Sequence, residues 1–409
     1  MAPSSGGREG GPLKITELRK EGDSGQRAVA RVVWEDCDRP PIELYYETEP
    51  EFGSDLAASP EACLLAGALP AVRGGEQRVL VEGSLCPRLR DGILIALDRL
   101  SHWYGRPPAS LEIEATDGFR PLCPRAPARA GLFLTGGVDS SHLLDTNRRR
   151  FPDEHPSRFR DGLAVFGLVA PGQERTLRAL DHAGRTRRAL AGPADEAGVK
   201  VVPVYTNLLQ LAPDIRFLGG EFLSAALAST AHAFARRISS VSIAAGWNIE
   251  LLRPCGSHPL LDPGYSSSAL SVRHEEVRIG RLQKLSNLMG WQTAVRGLIV
   301  CGNHPAAPDL NCGRCEKCLR TMTEILSLEG SLGGAPFPVQ DVRAEDLREI
   351  SIGPGIDAYW RELLPRLASR GRADLVSVLH PKLRLARFRR WDEKFLRGTL
   401  LKTYRRARR

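Results

Sequence analysis

Alternating apolar and polar positions dominate the first 120 residues. Residues 13–20, 27–36 and 42–47 combine partial alternation with β-favouring Val, Ile, Tyr and Trp, which predicts three strands. Residues 55–69 carry helical spacing with Ser54 as the expected N-cap. A strand at 78–82, an amphipathic helix at 87–104 and a strand at 110–115 complete an α+β pattern. The Gly/Ser-rich residues 1–11 are expected to be disordered, and 121–127 to form a linker.

From residue 128 the pattern changes. Short apolar runs at 131–134, 162–170, 199–205, 239–245 and 297–300 are separated by helical segments at 174–197, 221–237 and 274–289. Strands of this kind, joined by helices, predict an α/β fold with a parallel, doubly wound sheet and right-handed crossovers. Two Gly/Pro-rich stretches follow residue 330, then helices at 358–370 and from 382 onward. The expected organisation is a disordered 1–11, an α+β domain over 12–120, an α/β domain over 128–330 and a helical, basic extension over 331–409.

Composition places the 409 residues, 42% hydrophobic and 26% charged, among globular proteins. No run approaches the roughly 18 apolar residues of a membrane span, and the first residues lack an apolar leader, so the expected location is cytoplasmic. The net charge of +9 is unevenly placed. Residues 382–409 hold twelve Lys and Arg against Asp392 and Glu393, a net +10, and the other 381 residues carry −1. Any contact with nucleic acid or an anionic membrane must therefore rest on this tail. Within it Leu383, Phe388, Trp391, Phe395 and Leu400 form a loose helical stripe. The ordinary expectation is that such a stripe packs on the body and leaves the arginines in water.

The chemistry begins at Leu134-Thr135-Gly136-Gly137-Val138-Asp139-Ser140-Ser141, between a strand and a helix. Glycines let the backbone turn sharply and approach a ligand, and a helix N-terminus offers unpaired N–H groups to an anion. Thr135, Ser140 and Ser141 add hydroxyls, and Asp139 suits Mg²⁺ bound to a phosphate. A capped glycine turn has the same composition. Four cysteines, Cys301, Cys312, Cys315 and Cys318, are spaced to close a tetrahedral Zn²⁺ site without an open position, with an iron–sulfur cluster as the rival. Arg314, Lys317 and Arg320 are candidates to offset the charge of such a centre.

Residues 135–141 resemble the Ser-Gly-Gly-x-Asp-Ser-Ser/Thr loop of the PP-loop ATP pyrophosphatases (adenine nucleotide alpha-hydrolase-like), with Thr135 in place of Ser. With Cys-Gly-x-Cys-x-x-Cys downstream, residues 128–326 resemble the 7-cyano-7-deazaguanine synthase-like zinc-containing proteins. Gly256-Ser257-His258-Pro259-Leu260-Leu261-Asp262-Pro263, the pair Arg281 and Lys284, and Asn311-Cys312-Gly313-Arg314-Cys315-Glu316-Lys317-Cys318-Leu319-Arg320-Thr321-Met322 carry that resemblance further. It implies a Rossmann-like PP-loop fold that binds ATP, Mg²⁺ and Zn²⁺. It also implies a ligase reaction: adenylation of a carboxylate or amide-like oxygen with release of pyrophosphate, then attack by ammonia or an amine.

Other polar residues fit this frame. Arg281 and Lys284 share one helix face and suit the charge on departing pyrophosphate, or form a solvated basic face. Ser257, His258 and Asp262 read either as substrate contacts or as a loop bonding to itself. Asn207 is a candidate for the pocket wall, and the resemblance implies that backbone near 166–169 holds adenine. Cys255 reads as a small buried hydrophobe ahead of a sulfur relay. Two other functions fit the same sequence: an RNA-modifying PP-loop enzyme gripping RNA by the tail, and a non-catalytic nucleotide-binding scaffold. A homodimer is compatible with each.

Overall fold

A computed structural model describes residues 12–35, 39–121, 128–168, 177–301, 309–353, 355–396 and 399–400. The expected disorder at 1–11, most of the expected linker and the end of the tail lie outside these residues. So does position 169 of the expected adenine wall. The chain is α/β, with one ten-stranded, mostly parallel sheet and a helical C-terminal region. Two compact units form. One joins the residues up to Thr135 with Leu143–Arg278, and the other joins Gly136–His142 with the chain from Ile279 onward.

The first unit holds the whole sheet, in the order β10-β9-β6-β7-β8-β3-β2-β1-β4-β5. Its strands are β1 (Leu13–Glu21), β2 (Arg27–Val33), β3 (Ile42–Glu47), β4 (Arg78–Val81), β5 (Glu112–Ala115), β6 (Ala130–Phe133), β7 (Phe159–Phe166), β8 (Lys200–Thr206), β9 (Ser240–Ala244) and β10 (Ser271–Glu275). β6 to β10 are mutually parallel, and the direction of travel across them reverses between β6 and β9. β1, β2 and β3 form an antiparallel meander.

The separation into a 12–120 domain and a 128–330 domain does not coincide with this arrangement. β3 pairs antiparallel with β8 through only Tyr46↔Thr206 and Glu47↔Tyr205. Side chains lock the short seam. Asn207 donates from Nδ2 to the Glu43 carbonyl at 2.7 Å and accepts from the Tyr45 N–H at 2.9 Å. Thr206 Oγ1 donates to the Tyr45 carbonyl and Thr48 Oγ1 to that of Pro203, both at 2.7 Å. Such a seam leaves no mark on hydrophobic periodicity.

Helices cover the sheet. α1 (Pro60–Gly74) begins five residues later than the sequence suggests. Its N-cap is Ser59, whose Oγ accepts from the Ala62 N–H at 3.2 Å. Pro60 disfavours helical backbone at the residue before it, so the helix starts at the proline. α2 (Pro87–Trp103) matches its expected span. Its Gly92 lies so close to the Gly264 carbonyl that a Cβ there would sit 1.8 Å from the oxygen. α3 (Val138–Arg150), α4 (Leu177–Ala197) and the single turn α5 (Ile215–Phe217) follow. A π-helical turn at Leu218–Phe222 leads into α6 (Leu223–Ala233). α6 packs on α1, with Ser229 Oγ donating to the Ala62 carbonyl at 2.7 Å.

The second unit contains α7 (Arg281–Leu288), α8 (Gln292–Arg296), α9 (Glu316–Glu329), α10 (Ala344–Glu349), α11 (Asp357–Ser369) and α12 (Ala373–Leu396). The expected helix at 274–289 is β10 followed by α7. Glu276, in left-handed backbone at φ 68°, lies between them, and Gly280 caps α7. Its charged run, Arg273 to Glu276, resembles the polar face of a helix, whereas pairing with β9 makes Arg273–Glu275 strand. The expected strand at 297–300 joins no ladder. Among the described residues no helix is long and apolar enough to cross a membrane.

Candidate functional site

The loop after β6 is built for close approach. Gly136 adopts φ 73°, a region open to glycine but costly for other residues. Its carbonyl accepts from the Ile299 N–H at 2.8 Å, so the expected fifth strand serves as a brace. Gly137 accepts from the Ser141 N–H at 3.0 Å and from Ser140 Oγ at 3.2 Å, which fixes the first turn of α3. Ser140 and Ser141 are buried, and Thr135 is exposed.

Asp139 stands in that turn between two cations. Lys284 Nζ donates to its Oδ1 at 3.2 Å and Arg281 Nη1 to its Oδ2 at 3.4 Å. The spacing expected from sequence therefore brings Arg281 and Lys284 onto one carboxylate. The Lys284 side chain is only 2% exposed and that of Arg281 10%. A solvated basic face would look quite different. α9 completes the cluster with Thr321, inside the run 311–322 that carries the resemblance, and with Glu324, which no sequence feature singles out. Glu324, 1% exposed, takes Arg281 Nε on both carboxylate oxygens at 3.2 Å, and Thr321 Oγ1 accepts Arg281 Nη2 at 2.9 Å. Burial works against the Arg281 cation, but Glu324 and Asp139 more than offset it and raise its pKa. Tyr359 of α11 is held protonated by burial and then by the nearby Asp139 charge. No pattern within 128–330 points to a residue so far along the chain.

The four cysteines gather in the same unit. All their sulfur atoms lie within 4.8 Å of one another. A tetrahedral ion with bonds of about 2.3 Å sets its sulfurs about 3.8 Å apart. Cys312 and Cys318 are separated by 3.9 Å, so the set could hold a single metal ion such as zinc. Several irons would push their thiolates further apart. Asn311 organises the approach to the site. Its Oδ1 accepts from the Val300 and Cys301 N–H groups at 2.9 and 3.2 Å. Its Nδ2 donates to the Leu298 and Pro336 carbonyls at 2.8 and 2.9 Å. Cys301 is thus two residues from the Ile299 brace on the loop. Arg320 does not serve the thiolates as expected. It bonds Glu316 at 2.9 Å, and its guanidinium lies over the Tyr359 ring.

The remaining candidates belong to the first unit, and most are committed to structure. Asn207 spends its amide on the β3 seam. Asp262, fully buried, accepts from Ser257 Oγ at 2.9 Å, the His258 N–H at 2.8 Å and His274 Nδ1 at 2.7 Å. Ser257, His258 and Asp262 therefore do come together, as a loop bonded to itself. His274, on β10, leaves one buried polar atom, Nε2, with no partner among the described residues. His258 accepts from the Leu260 N–H on Nδ1 and packs edge-on against Trp103. Burial pushes the Cys255 thiol up, and Sγ donates to the Ser257 carbonyl at 3.0 Å, a setting that disfavours a thiolate nucleophile.

No family model matches the chain, and neither a curated protein nor a solved structure matches it.

Proposed function

We propose that the chain is an ATP-dependent synthase of the PP-loop type, similar in chemistry to the 7-cyano-7-deazaguanine synthase-like proteins. A carboxylate or amide oxygen of a small substrate attacks the α-phosphorus of ATP. The bond from that phosphorus to the bridging oxygen breaks, and pyrophosphate leaves. The lone pair of ammonia or an amine then attacks the adenylated carbon. The carbon–oxygen bond to AMP breaks, and the nitrogen gives up a proton.

The observation that carries this reading is the buried Asp139–Arg281–Lys284 cluster on a glycine loop directly after β6. Backbone N–H groups and the hydroxyls of Thr135, Ser140 and Ser141 would bind phosphates. Arg281, held by Glu324 and Thr321, and Lys284 would neutralise charge that builds on the leaving pyrophosphate, where fixed donors act most strongly. Mg²⁺ would be held by Asp139 with phosphate oxygens and would neutralise further charge. Zinc on Cys301, Cys312, Cys315 and Cys318 would be structural, since four thiolates leave no open position. The parallel strands, in the order β8-β7-β6-β9-β10, support a doubly wound sheet. Ligands of such sheets bind beyond the carboxyl ends where the order reverses.

The test is the stoichiometry of products. Purified protein is incubated with ATP, Mg²⁺, ammonium and a panel of carboxylates that includes 7-carboxy-7-deazaguanine, beside Asp139→Ala. Pyrophosphate and AMP formed in equal amounts, dependent on one substrate and on Asp139, are expected. ADP and phosphate would overturn the mechanism.

A further inference from the structure

The stripe expected to pack on the body does not do so. Leu383 is buried, but Phe388 is 43% exposed, Trp391 48% and Phe395 62%. Leu385, Leu396 and Leu400 are also exposed. α12 has two apolar faces. One carries Leu375, Leu379, Leu383 and Ala386 and is buried. The other carries Leu385, Phe388, Trp391 and Phe395, which fall within about 120° of one another at about 100° per residue, and at its margin the buried Asp392, which accepts from the Leu400 N–H at 3.1 Å. This second face is open to solvent. Bulky exposed apolar side chains in a contiguous patch mark an interaction surface.

The surroundings of this face say what it meets. Arg384, on this face one turn before Phe388, and Arg387, at its edge, are exposed. Arg361 of α11 joins Arg387, Arg390, Trp391 and Phe395 around an open groove of about 420 Å³. Arg361 and Arg390 both reach the buried Asp357, which fixes their guanidinium groups at the groove. The sequence from 382 onward carries a net +10. The partner is therefore anionic and presents apolar surface as well. Phe388 stacks on Trp391 at 6.1 Å between centroids, and Trp391 meets Phe395 at 6.0 Å. A helix that sets Trp, Phe and Leu on one open face among arginines has the composition of helices that lie in a bilayer interface.

We propose that α12 docks on an anionic phospholipid bilayer. Leu385, Phe388, Trp391 and Phe395 enter the boundary between headgroups and chains, and Arg361, Arg384 and Arg387 lie at the phosphates. This reading is independent of the reaction assigned to the Asp139 cluster.

Vesicle flotation of the full chain tests it, with neutral phosphatidylcholine vesicles, vesicles containing a third phosphatidylserine, and a single-stranded RNA competitor. Binding to the anionic vesicles only is expected. Arg384→Ala with Arg387→Ala should weaken it about 20- to 30-fold, since each basic residue at such a surface contributes a factor of about five. Trp391→Ala with Phe395→Ala should weaken it at least tenfold while the circular dichroism melt is unchanged, since both side chains are exposed. Equal flotation of the aromatic variant and the parent would overturn the proposal. So would RNA binding without vesicle binding, or flotation with neither vesicle.

Discussion

Replacing Lys284 by Met separates what the buried cluster does for stability from what it does for chemistry. The ammonium is 3.2 Å from Asp139 Oδ1, on a side chain 2% exposed. At an effective dielectric of about 20, unit charges at that separation attract by about 5 kcal/mol. Removing an ammonium from water costs several kcal/mol, so the two effects nearly cancel, and Asp139 is not left alone because Arg281 Nη1 stays 3.4 Å from its Oδ2. Lys284→Met, of similar length, should therefore change the unfolding free energy by less than about 2 kcal/mol. Asp139→Leu should behave differently. It leaves Arg281 and Lys284, one helical turn apart, without the carboxylate they share. Breaking a buried pair from one side costs about 3–5 kcal/mol, and the 25% exposure of Asp139 favours the lower end. Urea unfolding followed by circular dichroism measures both. Pyrophosphate release should fall in both variants, by about 10²–10³ in Lys284→Met, the usual effect of losing one charge-stabilising donor. A loss above 3 kcal/mol in Lys284→Met, or none in Asp139→Leu, would refute the electrostatic account. Undiminished pyrophosphate release in Lys284→Met would refute the phosphate role.

Metal analysis should find about one zinc per chain, absent from Cys318→Ser and released by acidification as the thiolates take up protons; retention of zinc by Cys318→Ser would contradict the four-thiolate site. His232 sets a pH dependence in the first unit. Its Nε2 donates to the Tyr265 carbonyl at 3.0 Å, and complete burial lowers its pKa to about 4 against about 6.5 when unfolded. The unfolded chain then binds the extra proton between those values. This contribution is full above pH 6.5 and declines by about 3 kcal/mol as pH falls to 4. Urea titrations from pH 7 to 4 should show a loss about 3 kcal/mol smaller in His232→Gln; parallel curves would contradict it.

The sequence by itself determined the local elements and the pairing of chemistries. Alternation placed β1 and β3 nearly to the residue, and the glycine loop was legible because φ above zero and a helix start need particular residues. The cysteine spacing foretold a four-sulfur cluster because tetrahedral coordination restricts how ligands are supplied. Arg281 and Lys284 were legible because helical period puts them on one face.

Tertiary structure decided everything that depends on distant segments. The β3–β8 seam rests on side-chain amide and hydroxyl bonds that have no period, so the first 120 residues read as a separate domain. β10 carries a charged run and is strand only because β9 supplies its ladder. Glu324, Thr321 and Tyr359 enter the Asp139 cluster from helices 180 or more residues along the chain. The same limit applies to α12. Its sequence shows that apolar side chains recur, but only packing decides which of its two apolar faces is buried and which remains open.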